Sequence, residues 1–434
     1  MTTTDQRLGS ALPTAAATEA AAELIAPVIG PTPLQHSRRL SELTGYDVWL
    51  KREDLTTVRS YKVRGAYTMI AGLSATERSR GVTTASAGNH AQGVAFACAQ
   101  AGVRATIFLP RTTPRQKRDR VASLGGDAVT VVIAGQTYDE AAAAAAGFAE
   151  SSGATIVPAF DHPSIITGQG TVATELLQQA AAQGIEPAAV VVPVGGGGLL
   201  AGMSTVLAAK APQTEVLAAE PEGAASLALA LRAGEPQPLA EVDPFVDGAA
   251  VRTIGRWTHA AVEAAAQTLT LRTVAVPEGL ICVEMLDLYQ AEGIIAEPAG
   301  ALAAAGLRWT ASLDAAPGSS VVCVVSGGNN DVSRYADIVE RALVFEGLKH
   351  YFLVEFPQKP GALRGFLDEV LGPDDDITHF EYTKSNNRET GPALVGIELG
   401  RAADLSSLQQ RMRDSHLRVE KVDPDSPLFG FMRR

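Results

Sequence analysis

The chain is poor in cysteine, and its three, Cys98, Cys282 and Cys323, are an odd number set in apolar runs. That excludes a disulfide framework and fits buried, reduced thiols. Basic residues are also short, 36 against 48 acidic ones, for a net charge of −12. With no basic face to neutralise phosphates, a nucleic-acid partner is excluded. Long apolar runs are missing too. The nearest approach, Ala141 to Ala149, is mostly alanine and is bracketed by Glu140 and Glu150, which excludes a membrane-spanning helix. Met1 to Leu24 carries Asp5, Arg7, Glu19 and Glu23 but no charged head followed by an apolar core. It does not read as a signal peptide, and a cytoplasmic location is the expectation.

What is present is a globular composition, 46% hydrophobic and 19% charged over 434 residues, enough for two to four domains with buried cores. Residues 1–20 read as a flexible N-terminus, with a helix from Thr18 to Ile25 stopped by Pro27. Pro31 to Leu34 is extended, because residues before proline avoid the helical region. Val48 to Lys51 is a strand, and Gly65 to Leu73 opens a helix. From Gly81 to Pro158 short apolar strands alternate with helices, the pattern of a parallel sheet with covered faces. The same alternation resumes with strands at 189–194, 215–219 and 321–325, a long loop running to Ala249, and helices at 258–266 and 279–290. Residues 21–344 form one unit of two α/β lobes on this reading, the smaller lobe being 81–160. Beyond residue 345 the order becomes βαββαβ, a ferredoxin-like pattern, ending with a strand at 418–422.

Four stretches carry chemistry. Arg59-Ser60-Tyr61-Lys62-Val63-Arg64-Gly65-Ala66 sets a lysine at a strand-to-helix junction. Ser86-Ala87-Gly88-Asn89-His90 is a strand-end loop leading into a helix. Gly195-Gly196-Gly197-Gly198-Leu199 follows an apolar strand and opens another helix, so its amides and the helix dipole make an anion cradle. Ser326-Gly327-Gly328-Asn329 ends a strand. Read alone, each has a bland alternative: a solvated lysine, simple helix capping, a packing turn. The cradle alone also leaves a dinucleotide open, since Gly196-x-Gly198-x-x-Ala201 with Glu220 on the next strand satisfies the loose Rossmann fingerprint. A nicotinamide-dependent oxidoreductase would, however, leave Lys62, the Ser86 loop and Ser326 unexplained.

Together the four stretches resemble the fold-type II (tryptophan synthase β-like) pyridoxal phosphate (PLP) enzymes, most closely the threonine dehydratases. The resemblance implies that Lys62 carries the cofactor and acts as base, and that amides of Gly195, Gly196, Gly197, Gly198 and Leu199 hold its phosphate. Asn89 would meet its 3-hydroxyl and Ser326 its ring nitrogen. The loop Ser86, Ala87, Gly88, Asn89 and His90 would grip the substrate carboxylate. Relatives that racemise carry a second serine where this chain has Ala87, which favours elimination. Threonine is the implied substrate, 2-oxobutanoate and ammonia the products, and serine the nearest rival. Relatives that bind a divalent ion place a carboxylate where Ser226 stands, near Glu220 and Ala224. No divalent site is therefore expected, although carbonyls could hold a monovalent ion. Asp247-Gly248-Ala249-Ala250-Val251 and Glu297-Pro298-Ala299-Gly300-Ala301 also resemble family stretches and receive no role here.

Residues 345–434, with Pro357-Gln358-Lys359-Pro360-Gly361-Ala362-Leu363 between first strand and first helix, resemble an ACT-like regulatory domain. That implies isoleucine as effector, near Phe356, Leu363 and Phe366, and a homo-oligomer, dimer or tetramer. Family members with two such units have a longer C-terminal region; this chain has room for one.

Overall fold

The computed structural model describes residues 12–310, 313–382, 389–423 and 426. They form two compact units, the first ending at Asn330 and the second beginning at Asp331. The first unit opens with α1 (Ala15–Ile25), β1 (Leu34–His36), α2 (Arg38–Thr44), β2 (Asp47–Arg52), α3 (Lys62–Ala71) and α4 (Ala75–Arg80). Next come β3 (Val82–Ala85), α5 (Asn89–Ala101), β4 (Ala105–Leu109), α6 (Arg115–Gly125), β5 (Val129–Ile133), α7 (Tyr138–Ser152) and β6 (Thr155–Ile156). It closes with α8 (Pro163–Ala182), β7 (Ala189–Pro193), α9 (Gly198–Lys210), β8 (Glu215–Pro221), α10 (Ser226–Ala233), α11 (Arg256–Ala266), β9 (Leu271–Val276), α12 (Glu278–Glu292), α13 (Pro298–Trp309) and β10 (Ser320–Val325).

Two sheets define two lobes. The smaller has the order β5-β4-β3-β6, all parallel, and the larger β1-β2-β10-β7-β8-β9, parallel except where β1 meets β2. Every residue of β7 and β8 is buried, as a strand with helices on both faces requires. In a parallel sheet the loops after the strands gather at one edge. The Gly195 and Ser326 turns are such loops of the larger sheet, so its topology brings these two motifs to one side, while the Ser86 turn ends a strand of the smaller sheet.

The structure corrects several boundaries. The first helix begins at Ala15, because the Thr14 hydroxyl accepts from the Ala17 amide, and Thr18 is buried rather than loose. Lys62 is the first residue of α3, not a residue ahead of a helix at Gly65. The expected long loop to Ala249 contains α10. Its N-terminal amides are capped by Glu220, at 2.7 Å from Leu227 N and 2.9 Å from Ala228 N, a cap from another element that local patterning cannot reveal. Edge strand β9 is half-exposed, so it lacks the continuous apolar run that marks the buried strands.

The second unit holds α14 (Tyr335–Phe345), β11 (Lys349–Pro357), α15 (Ala362–Glu369), β12 (Asp376–Tyr382), β13 (Thr390–Glu398), α16 (Leu405–Asp414) and β14 (Arg418–Lys421). From β11 onward the order is βαββαβ, and the antiparallel sheet runs β12-β13-β11-β14. The expected end of its second strand at Lys384 lies outside the described residues. Phe356 and Phe366, read as ligand surface, are core residues 2% and 1% exposed, with ring centroids 5.3 Å apart. Leu363 and Leu367, one turn apart on α15, stay exposed.

Glycine sets how closely helices pack in the first unit. A Cβ on Gly170 would lie 2.8 Å from the Gly202 carbonyl oxygen, and one on Gly202 would overlap the Ile166 carbonyl oxygen. Gly147, in α7, faces open space. Gly202→Ala should therefore destabilise the chain by about 1–3 kcal/mol through overpacking, while Gly147→Ala stabilises it by roughly 0.5–1 kcal/mol. Urea unfolding midpoints of the two variants should move in opposite directions.

Candidate active site

The site is built on the first turn of α3. Arg59 adopts the left-handed conformation, φ 57°, and its carbonyl accepts from Gly328 N at 2.9 Å. Ser60 bridges Gly327, and Tyr61 N donates to the Ser326 carbonyl at 3.1 Å. The Lys62 turn is thus stitched to the turn after β10 largely by backbone, with Asn329 Nδ2 adding a bond to Val58 O. Beneath it, the buried Arg64 guanidinium grips Glu53 at 2.7 and 2.8 Å and Glu175 at 3.1 Å. Lys51 shares Glu175 and donates to Thr32 O at 2.7 Å and Gln179 Oε1 at 3.0 Å. Burial opposes the charge on Arg64, yet the two carboxylates outweigh it and raise its pKa, whereas burial lowers that of Lys51.

Lys62 Nζ donates to the Ala159 carbonyl at 2.8 Å. Burial lowers its pKa to about 8, against the pull of the Glu297 carboxylate. The residue after Ala159 is Phe160, whose ring lies directly on the cradle. A Cβ on Gly196 would overlap that ring, and one on Gly198 would sit 3.1 Å from Phe160 Cβ. On the far side a Gly195 Cβ would meet Ala249 Cα at 2.8 Å, and Gly197 has φ +86°. None of these positions accommodates a side chain. The amides of Gly195 to Leu199 meet no acceptor among the described residues, although the Gly196 carbonyl accepts from Thr258 Oγ1 at 2.9 Å. An open set of N–H groups at the N-terminus of α9, in a space only glycine leaves free, fits a phosphate.

Asn89, first residue of α5, lies between two partners. Its Nδ2 donates to Glu297 Oε1, and its Oδ1 accepts from Asn329 Nδ2 at 2.7 Å. Burial, with Asp247 adding to it, raises Glu297 to about 7. Ser326, 2% exposed, donates its hydroxyl to Ala299 O at 3.0 Å. In the Ser86 loop, Ser86 N donates to Phe108 O at 3.3 Å and Gly88 N to Ser86 Oγ at 3.3 Å. The amides of Ala87, Asn89 and His90 meet no acceptor among the described residues. The His90 ring is turned away to Val157 O at 2.9 Å, and burial beside Lys62 lowers its pKa to about 4, so it is neutral.

All four motifs therefore meet, and each lends a group that would suit PLP: an amine, a phosphate cradle, an amide and a hydroxyl. Glu220 does not join them. Buried at 1% exposure and spent on capping α10, it cannot reach a ribose, which removes the dinucleotide reading. Glu297 and Asn329 lie in stretches quoted above but received no role, and Ala159 and Phe160 were not singled out. The only local signals were an acidic residue in an otherwise apolar Ile294-to-Ala305 run and the second amide of the Ser326 turn. Asp247 and Ala249, given no role earlier, reach the site as well. Lys117 Nζ is 3.2 Å from Asp247 Oδ2, and Ala249 walls the cradle.

Residues 25–327 match the family described as pyridoxal-phosphate dependent enzyme, and 340–432 the C-terminal regulatory domain of threonine dehydratase. The chain is 58% identical, over 94% of its own length and 93% of the relative's, to the L-threonine dehydratase biosynthetic IlvA of Mycobacterium tuberculosis. The processed form of threonine deaminase isoform 2 from Solanum lycopersicum superposes with a TM-score of 0.68 at 38% identity, covering 75% of this chain and 92% of that one. A maize serine racemase does so with a TM-score of 0.68 at 28% identity, covering 77% and 98%. The chain belongs to the biosynthetic L-threonine dehydratases, pyridoxal-phosphate-dependent enzymes of α/β fold that carry a C-terminal regulatory domain.

Proposed function

We propose that the first unit converts L-threonine to 2-oxobutanoate and ammonia, with Lys62 as the cofactor-bearing lysine and as base. The observation that carries this is the half-buried Lys62 amine beside a glycine cradle whose amides are open. Gly195 to Leu199 would hold the phosphate, Ser326 the ring nitrogen and Asn89 the 3-hydroxyl. The free amides of Ala87, Asn89 and His90, at the start of α5, would take the substrate carboxylate within the Ser86-to-His90 loop; neutral His90 adds no charge of its own. When bound, PLP draws electron density from the amino acid's Cα and makes its proton acidic enough to leave at neutral pH. Lys62 Nζ, with its pKa lowered to about 8, is far easier to deprotonate near neutral pH than an ordinary lysine and can hold that proton. Loss of the proton and the β-hydroxyl removes one water. The resulting enamine becomes an imine, and hydrolysis returns that water as ammonia leaves. Ala87 offers no acid on the opposite face, so elimination is favoured over racemisation. Serine differs by one methyl, worth about 1–3 kcal/mol, so some serine turnover is expected.

Borohydride reduction of the holoenzyme followed by peptide mapping should place the pyridoxyl group on Lys62. Lys51 is locked by Glu175, Gln179 and Thr32, and Lys210 pairs with Glu19 on the surface. An adduct on either would end the proposal, as would a Lys62→Ala variant that still releases 2-oxobutanoate.

Gly196→Val, which drives a branched side chain into Phe160, should lower cofactor affinity at least tenfold while leaving the circular dichroism spectrum unchanged. Cofactor affinity equal to that of the parent chain would count against the cradle.

For the second unit the reading is isoleucine inhibition, in a cytoplasmic homo-oligomer, dimer or tetramer, with Pro357 to Leu363 and exposed Leu363 and Leu367 near the effector. Couplings of this kind are typically about 1–3 kcal/mol. In full-length protein isoleucine should raise the threonine concentration needed for half-maximal rate roughly 5- to 150-fold. A chain ending at Asn330, where the first unit ends, should keep turnover and lose that response. Undiminished inhibition of the shortened chain would move the effector to the active site.

A further inference from the structure

Asn89 sits in a hydrogen-bonded chain whose direction is fixed at both ends. At one end is the Val58 carbonyl, which can only accept. It takes a proton from Asn329 Nδ2 at 2.8 Å, and the same nitrogen gives its other proton to Asn89 Oδ1 at 2.7 Å. Both Asn329 protons are then used, so the Asn89 amide can present only its oxygen on that side. At the other end is the Glu297 carboxylate, again only an acceptor when ionised, which takes one proton from Asn89 Nδ2. Reversing Asn89 would set nitrogen against nitrogen at Asn329. Reversing Asn329 would set oxygen against the Val58 carbonyl. One Asn89 proton is left over, with no partner among the described residues.

Glu297 is itself placed with care. It is 5% exposed, its N–H donates to Gly327 O at 3.1 Å, and a side chain on Gly327 would overlap Glu297 Oε1. No described lysine or arginine forms a salt bridge with it. A buried carboxylate without a paired cation is costly and needs a reason.

The geometry points to Glu297 as a positioning residue: by accepting from Asn89 Nδ2 it holds the remaining Asn89 proton toward the oxygen of the bound cofactor. This rests on the assignment of Asn89 to the cofactor's 3-hydroxyl. Glutamine in place of Glu297 keeps one acceptor and turns the other into a donor. The bond from Asn89 Nδ2 then loses its charged acceptor.

The test uses full-length wild type, Glu297→Gln, Asn89→Ala and the double variant. Two quantities are read: the PLP dissociation constant, by titrating cofactor-stripped protein, and the wavelength of the visible absorption band of the reloaded enzyme. Glu297→Gln should weaken PLP binding roughly tenfold, the scale of a hydrogen bond to a charged group, and displace the band. Asn89→Ala should do at least as much, and the double variant should match Asn89→Ala, because Glu297 acts through Asn89. A further tenfold loss in the double variant would overturn the inference, as would a Glu297→Gln enzyme with unchanged affinity and band while Asn89→Ala is impaired. An unimpaired Asn89→Ala enzyme would remove the Asn89 assignment and this inference with it. If Glu297→Gln fails to fold, Asn329→Ala tests the other end of the chain; it should shift both quantities in the same direction, and a silent Asn329→Ala enzyme would count as refutation.

Discussion

The site depends on a group of charges that never touches substrate. Arg64, two residues after Lys62 on the same helix, is 1% exposed and held by Glu53 and Glu175, while Lys51 balances Glu175 from below. Two cations and two anions leave this nest neutral, and Thr32, Thr171 and Gln179 answer further hydrogen bonds around it. Such a cluster is a poor source of net stability, since the desolvation of four ions offsets most of their attraction. What it supplies is geometry. Glu53 follows β2, Glu175 lies on α8 and Arg64 on α3, so three elements are pinned at one point. The first turn of α3 cannot rotate without leaving a buried charge unpaired.

From that fixed turn the constraint passes through close backbone contacts. A Gly93 Cβ would lie 3.2 Å from the Lys62 carbonyl, and one on Gly168 would lie 2.6 Å from that of Arg64, so α5 and α8 clasp α3 at glycines. On the other side Tyr61 and Ser60 are bonded to Ser326 and Gly327. A shift of α3 would therefore carry the Ser326 turn with it, and Asn89 along with that turn through Asn329. The amine, the hydroxyl and the amide form one rigid set. The phosphate cradle joins it through Ala159 and Phe160, the first bonded to Lys62 and the second lying on Gly196.

This division explains what could be read in the sequence. The Gly195-to-Leu199 cradle was legible because every part of it is local: an apolar strand, four glycines, a helix start. The parallel order of the sheets was legible for the same reason, and so was the βαββαβ order of the second unit. Glu297, Phe160 and Asn329 were not, because their partners lie far off in the chain; Asn89 is 208 residues from Glu297. The Arg64 nest was equally hidden. Nothing local in the sequence shows that Lys51, Glu53 and Arg64 are buried together, and only the fold turns them inward. Helix α10 escaped because its cap, Glu220, comes from the end of a strand.

The protonation state of the site follows from two groups that burial treats alike. It penalises the ammonium of Lys62 and the carboxylate of Glu297, lowering one pKa to about 8 and raising the other to about 7. The Glu297 carboxylate also favours the charge on Lys62, although no salt bridge joins the two. In solution their ordinary values differ by about six units, and the neutral pair would be negligible. Bringing the two values together lowers the cost of moving a proton off Lys62 Nζ, as the base proposed for this reaction requires. Neutral His90 and the uncharged Ser326 hydroxyl keep further charge away from this balance. The Arg64 nest, closed and neutral, lets the cationic side chain next to Lys62 on α3 be buried without adding to the field at Nζ.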